Sequence, residues 1–234
     1  MNLPDIISTA NLLPPDGGII YTETNMQRHI PEPLNTITAV FFIAVAIYWL
    51  IRFNGFSAQF GFLSVAAYIL LIGGIGGTVY HGLRQYRFII MMDWIPILLL
   101  CMMTCLYFWV KILHRWLYAI GLVFLFFLFQ FMVRRYTEQH HSLDWIININ
   151  YAVMALMVMA PVLIYLTRTR FRHSMLIFGA ILCFLLALFF RISDKWQILQ
   201  IGTHFLWHAL GAITTQLMFL YLYRIDRKGK RISI

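Results

Sequence analysis

Charge is what this sequence has least of. Only 12% of its 234 residues are charged, against about 25% in an ordinary soluble domain. Nine Asp and Glu residues serve the whole chain. So few polar side chains exclude a soluble globular enzyme, whose surface they would have to cover, and a disordered chain, which lives on charge. Cysteine is scarce as well. The three present, Cys101, Cys105 and Cys183, all lie inside apolar runs. They read as packing thiols, which excludes a disulfide-rich secreted module and argues against a cysteine zinc site. No basic stretch followed by a short apolar one opens the chain, so no cleaved signal peptide is expected. Proline is sparse beyond the N-terminal region, which holds Pro4, Pro14, Pro15, Pro31 and Pro33.

Apolar mass fills the space that charge leaves. The chain is 61% hydrophobic, with a mean hydropathy of +0.76. A membrane-spanning helix needs about 20 apolar residues, so seven would take about 140 residues, roughly 60% of the chain. Seven apolar spans can be counted, over residues 35–52, 58–83, 88–111, 115–133, 143–167, 174–190 and 197–223. They are continuous rather than alternating every second residue, which argues against a β-barrel. The expected fold is all-α, an integral membrane seven-helix bundle over residues 35–223. A polar irregular segment (1–34) precedes it and a basic tail (224–234) follows. Loops are short, and neither an internal repeat nor a second domain is visible.

The formal charge of +9 would suggest a nucleic-acid partner in a soluble protein. Here the basic residues cluster at span ends, where anionic lipid and the insertion machinery account for them, and no nucleic acid is expected. Seven Lys and Arg fall on the N-terminal side of the threading and eleven on the C-terminal side. That excess predicts a cytoplasmic C-terminus and an outside or lumenal N-terminus. Trp49, Trp109, Trp116, Trp145 and Trp196 fall near span ends, as an aromatic belt would place them.

Ionisable residues inside a span are costly, and each is a functional candidate. They are His81, Asp93, His204 and His208. At about 1.5 Å rise per residue, His81 lies about 5 Å in from Arg84 and Asp93 about 9 Å in from Arg87. His204 and His208 lie about 12 and 18 Å in from Trp196 on the same scale. All four fall toward the N-terminal side, so one half of the membrane can hold them together. His204 and His208 form an i, i+4 pair that shares a helix face. Two such imidazoles can bind one zinc ion; His81 would be the third ligand, leaving a fourth position for water, the catalytic pattern. Asp93 would then accept a hydrogen bond behind the ligands or act as general base for that water.

The plainer alternative is that these histidines only hydrogen-bond between helices. His114 and His173 read as interface residues at helix ends, His140 and His141 as loop residues, and His29 belongs to the N-terminal segment. Gly73, Gly74, Gly76 and Gly77 precede His81; they allow close helix approach or leave room for a ligand. Pro96, three residues after Asp93, can bend its helix toward a cavity or for packing alone.

These residues carry a resemblance to the alkaline ceramidase family, part of a wider group of seven-helix membrane hydrolases. It covers nearly the whole chain in order. YTETN (21–25) and EPLNTIT (32–38) are similar to the family's acidic N-terminal stretch and the lead into its first helix. GGTVYH (76–81) is similar to G-S-x-x-F-H and MDWIP (92–96) to D-E-x-P. RISDKW (191–196) and GTHFLWHALGA (202–212) close the match, the last resembling G-T-H-F-x-W-H-x-L of bacterial members.

The resemblance implies zinc-dependent hydrolysis of the amide bond of ceramide or a related N-acyl lipid. It makes His81, His204 and His208 the zinc ligands and gives Asp93 the proton of the bound water. It also implies a calcium site, with Glu23, Asn25 and Glu32 as ligands, although Ile20 and Tyr21 stand where the family has Asp-Trp. Otherwise Glu23 and Glu32 are solvated loop acids or cap the first helix. The family's serine four residues before the zinc histidine is Gly77 here. Either Thr78 supplies the missing hydroxyl to an oxyanion, or the hydroxyl is absent and activity or substrate differs. The alternative of another class is a non-enzymatic seven-helix receptor or metal-stabilised scaffold. A retinal protein would need a lysine midway along the last span, which has none, and a two-histidine haem site stays open on the residues alone.

Overall fold

The computed structural model describes residues 13–140 and 143–229. Among these residues the protein is all-α, with seven helices long and apolar enough to cross a membrane. They are α1 (Pro33–Arg52), α2 (Gly61–Leu83), α3 (Arg87–Leu113), α4 (Trp116–His140), α5 (Leu143–Arg168), α6 (Ser174–Ser193) and α7 (His204–Gly229), with short 3-10 turns at Ala58–Phe60 and Asp194–Trp196. It is thus a multi-pass membrane protein, and its exposed side chains agree. Ile51 is 71% and Met175 81% exposed, a surface suited to lipid rather than water.

The chain forms two compact units. Of the described residues, those up to 97 and from 175 onward form one, and those between 98 and 174 the other. In the first, α1 lies against both α2 and α7. Pro33 opens α1 at a position where its missing N–H and preset φ cost nothing. Glycines bring α2 close to its neighbours. A Cβ on Gly74 would meet Ile43 of α1 at 2.8 Å, and one on Gly73 would meet Pro96 of α3 at 2.8 Å. Gly76 faces the Met92 backbone in the same way. The glycine run is thus occupied by helix packing rather than by open space, and Pro96 seats against it. In the second unit α4 packs on α5, and Cys105 is buried with Val123 and Met157. The cysteines are free thiols, as their apolar setting implies.

The span boundaries differ most from expectation at α4 and α7, and α7 also runs on to Gly229, six residues into the expected tail. The fourth helix continues past residue 133 to His140, so His140 is helical rather than in a loop; His141 lies outside the described residues. The seventh helix begins at His204, not near 197. Gln197 and Gly202 adopt left-handed φ of 52° and 78°, and a helix cannot propagate through them. His204 therefore stands at the helix start, and the depth estimated by counting helical rise from Trp196 is corrected. His114 and His173 sit at helix ends with left-handed φ, and His29 is exposed.

Candidate metal centre

His81 lies in the last turn of α2, Asp93 in the second turn of α3, and His204 and His208 in the first turns of α7. All belong to the first unit. The ring centroids of His81, His204 and His208 are 5.5, 4.8 and 4.8 Å apart in pairs. The three rings are buried. Each offers one nitrogen within 4.8 Å of the others, so together they can hold a metal ion. Among the described residues no other group of His, Cys, Asp and Glu converges in this way.

Hydrogen bonds orient two of the rings. His81 Nδ1 donates to Glu32 Oε2 at 2.5 Å, while its buried Nε2 has no partner. His208 Nδ1 donates to the Asn35 carbonyl at 3.0 Å. A ring nitrogen held on a carboxylate or carbonyl, with the opposite nitrogen presented inward, is how metal-binding histidines are commonly oriented. His204 Nδ1 is also buried without a partner. An unsatisfied buried ring nitrogen is costly, and a shared ion relieves both. The donor set therefore fits a metal.

Asp93 reaches the same helix segment. A Cβ on Gly77 would lie 2.6 Å from Asp93 Oδ1, so the absence of a side chain at 77 is what admits the carboxylate one turn before His81. Of the two alternatives for Thr78, the geometry agrees with an absent hydroxyl. The Thr78 hydroxyl donates to the Gly74 carbonyl at 2.7 Å, the i−4 bond typical of threonine in a helix. Its hydrogen is committed to its own helix rather than offered to an oxyanion.

The residues expected to bind calcium are engaged elsewhere. Glu23 accepts from the backbone N–H of Leu34 and Asn35, at 2.6 and 3.0 Å. It thus caps α1 from eleven residues upstream, satisfying donors that the helix leaves orphaned. Burial pushes its carboxyl above the usual range, against the pull of those two N–H groups. Asn25 Oδ1 accepts from the Gln27 N–H at 3.0 Å. Glu32 is fully buried and takes four donors: Thr24 Oγ1 (2.6 Å) and Arg84 Nη1 on Oε1, and Asn35 Nδ2 (3.1 Å) and His81 Nδ1 on Oε2. An ionised carboxylate has about four lone-pair sites, and all are filled. Calcium requires six to eight oxygens with free lone pairs, so the expected calcium site does not fit these residues. Burial alone would raise the Glu32 carboxyl, but the His81 hydrogen bond and charge, the Arg84 charge and the Thr24 hydroxyl outweigh it and hold it at about 2.

Three other residues build the centre and were not anticipated. Tyr21 stacks on His204, with centroids 3.7 Å and planes 20° apart. Asp194 is buried and accepts the N–H of Thr203 (2.7 Å) and His204 (3.0 Å), capping α7, and that of Thr22 (2.9 Å), tying the N-terminal segment to the helix that carries two ligands. Arg84 binds Asp16 as well as Glu32. Screening only residues inside spans passed over these rim residues; the small number of acids in the chain was the signal that would have found Asp16 and Asp194.

The chain matches no model of a known protein family, and no curated protein matches its sequence.

Proposed function

We propose that this protein is a membrane zinc-dependent hydrolase that cleaves the amide bond of ceramide or a related N-acyl lipid into fatty acid and amine. The observation that carries the reading is the convergence of three buried histidines, two of them with an unsatisfied ring nitrogen, one helical turn from the Asp93 carboxylate. His81, His204 and His208 would hold the ion. Glu32 and the Asn35 carbonyl keep the His81 and His208 rings turned so that the second nitrogen faces it. Zinc bound there would polarise a carbonyl and lower the pKa of its water to about 7. Asp93 takes the proton from the attacking water and passes it to the leaving amine. The resemblance of the sequence blocks to alkaline ceramidases supports the substrate class, and the apolar surface supports substrate arrival from the bilayer. The excess of Lys and Arg on the C-terminal side supports a cytoplasmic C-terminus and a centre on the outer or lumenal side.

The test is hydrolysis of fluorescent ceramide and other N-acyl lipids by purified protein, with and without a zinc chelator. Chelator-sensitive release of fatty acid is expected, and its absence across lipid classes would refute the enzymatic reading. One observation favours a second reading, a non-enzymatic receptor or metal-stabilised scaffold. Gly77 replaces a serine, and the Thr78 hydroxyl is spent on its own helix, so this segment offers no hydroxyl to an oxyanion. Stoichiometric zinc without amidase activity would support that reading.

A further inference from the structure

Arg84 ends α2 in the left-handed conformation, with φ of 53°. Glycine is the ordinary residue at such a cap, because a Cβ is strained there. The sequence nevertheless keeps a long cationic side chain, and buries it completely. Its Nε and Nη2 grip both oxygens of Asp16, at 2.7 and 3.1 Å, and its Nη1 binds Glu32. The guanidinium lies 4.8 Å from the Tyr80 ring centroid. Burial disfavours its charge, but the Asp16 hydrogen bonds and the Glu32 charge raise its pKa above the usual arginine value.

One bond further on, Glu32 holds His81 Nδ1. Asp16, Arg84, Glu32 and His81 therefore form one buried chain of charge-assisted hydrogen bonds ending on a ring that offers its other nitrogen to the centre. Removing the guanidinium would leave two buried carboxylates facing an empty space with no cation between them, which is strongly unfavourable. Glu32 would then lose the donor that fixes its Oε1, and its hold on His81 loosens.

We propose that Arg84 is a positioning residue for the metal centre. As a built-in cation it locks Glu32 onto His81 and stands where a second metal ion would otherwise be needed, so that the three-histidine centre works without calcium. The proposal rests on the reading that His81, His204 and His208 hold a metal. It replaces the calcium site that the resemblance implies, because the Glu32 lone pairs face donors rather than a free cation.

The experiment uses detergent-purified full-length protein. Zinc affinity is measured by chelator competition for wild type, Arg84→Gln, Arg84→Lys and Arg84→Ala, and the visible spectrum of the cobalt-loaded forms is recorded. Wild type is expected to bind one zinc with an affinity unchanged by calcium or by a calcium-selective chelator. Arg84→Gln is expected to lose about 10–100-fold in zinc affinity, the usual effect of removing a partner behind a metal ligand, and to alter the cobalt bands. Arg84→Lys should keep part of the affinity. Added guanidinium should restore Arg84→Ala, which has a hole to fill, and not Arg84→Gln.

Arg84→Gln with wild-type zinc affinity and cobalt spectrum would overturn the proposal while leaving the three-histidine reading intact. Wild type that binds no zinc overturns both. Should the variants not fold, the calcium arm on wild type decides: a zinc affinity that rises when calcium is added contradicts the proposal.

Discussion

Gly77→Ala tests the account at the point where the sequence departs from the resemblance. In an exposed helix the change is favourable by roughly 0.5–1 kcal/mol, because glycine is the poorer helix former. Here the new methyl would sit 2.6 Å from Asp93 Oδ1, well inside contact distance, and overpacking of this kind costs about 1–3 kcal/mol. The steric cost outweighs the propensity gain, and a net loss of about 1 kcal/mol follows. Gly121→Ala is the control: it also lies within a helix, and nothing stands within 4 Å of its would-be Cβ. The assay is thermal unfolding in one detergent. About 1 kcal/mol moves the midpoint by roughly 2–4 °C at this chain length, downward for Gly77→Ala and upward for Gly121→Ala. The methyl also pushes the Asp93 carboxylate off its position, so lipid amide hydrolysis should fall at least tenfold with zinc retained. Equal stabilisation of both variants, with hydrolysis unchanged, would refute the reasoning that residue 77 is glycine to admit Asp93.

Other outcomes follow from the same geometry. Asp93→Asn should keep the metal and lose about 10²–10⁴ in hydrolysis rate, the usual contribution of a positioned base, read by metal analysis and kinetics on one sample. Asp194→Ala orphans three backbone N–H groups and should destabilise by about 1–3 kcal/mol, with a drop in zinc affinity because α7 begins at a ligand. Glu23→Ala removes the cap from α1 and should cost about 0.5–2 kcal/mol without changing zinc stoichiometry, whereas a calcium-ligand role would show as loss of calcium binding.

Much of this was legible in the residues because the membrane simplifies the question. Continuous apolar runs mark helices whatever their neighbours are, and a buried charge in such a run is conspicuous. His81, Asp93, His204 and His208 stood out for that reason, and the i, i+4 spacing of the histidine pair placed two rings on one face. The start of α7 was not legible, since residues 197–203 are apolar enough to continue a helix, and it is the Asp194 carboxylate together with the left-handed Gln197 and Gly202 that sets the boundary. The role of Glu32 was equally hidden. Whether an acid before a helix caps it, binds calcium or holds a histidine 49 residues away depends on how the loop folds back. Spacing along the chain carries no trace of that. Arg84 read as a span-end cation like any other until its burial against Asp16 and Glu32 distinguished it.

The central claim is that three histidines from two helices share one ion, and metal content measures it most directly. Purified wild-type protein should carry one zinc per chain by elemental analysis, and His81→Ala, His204→Ala and His208→Ala should each carry only a trace while remaining folded. Metal-free wild type that takes up no added zinc, or a His208→Ala protein that still holds a full equivalent, would contradict it.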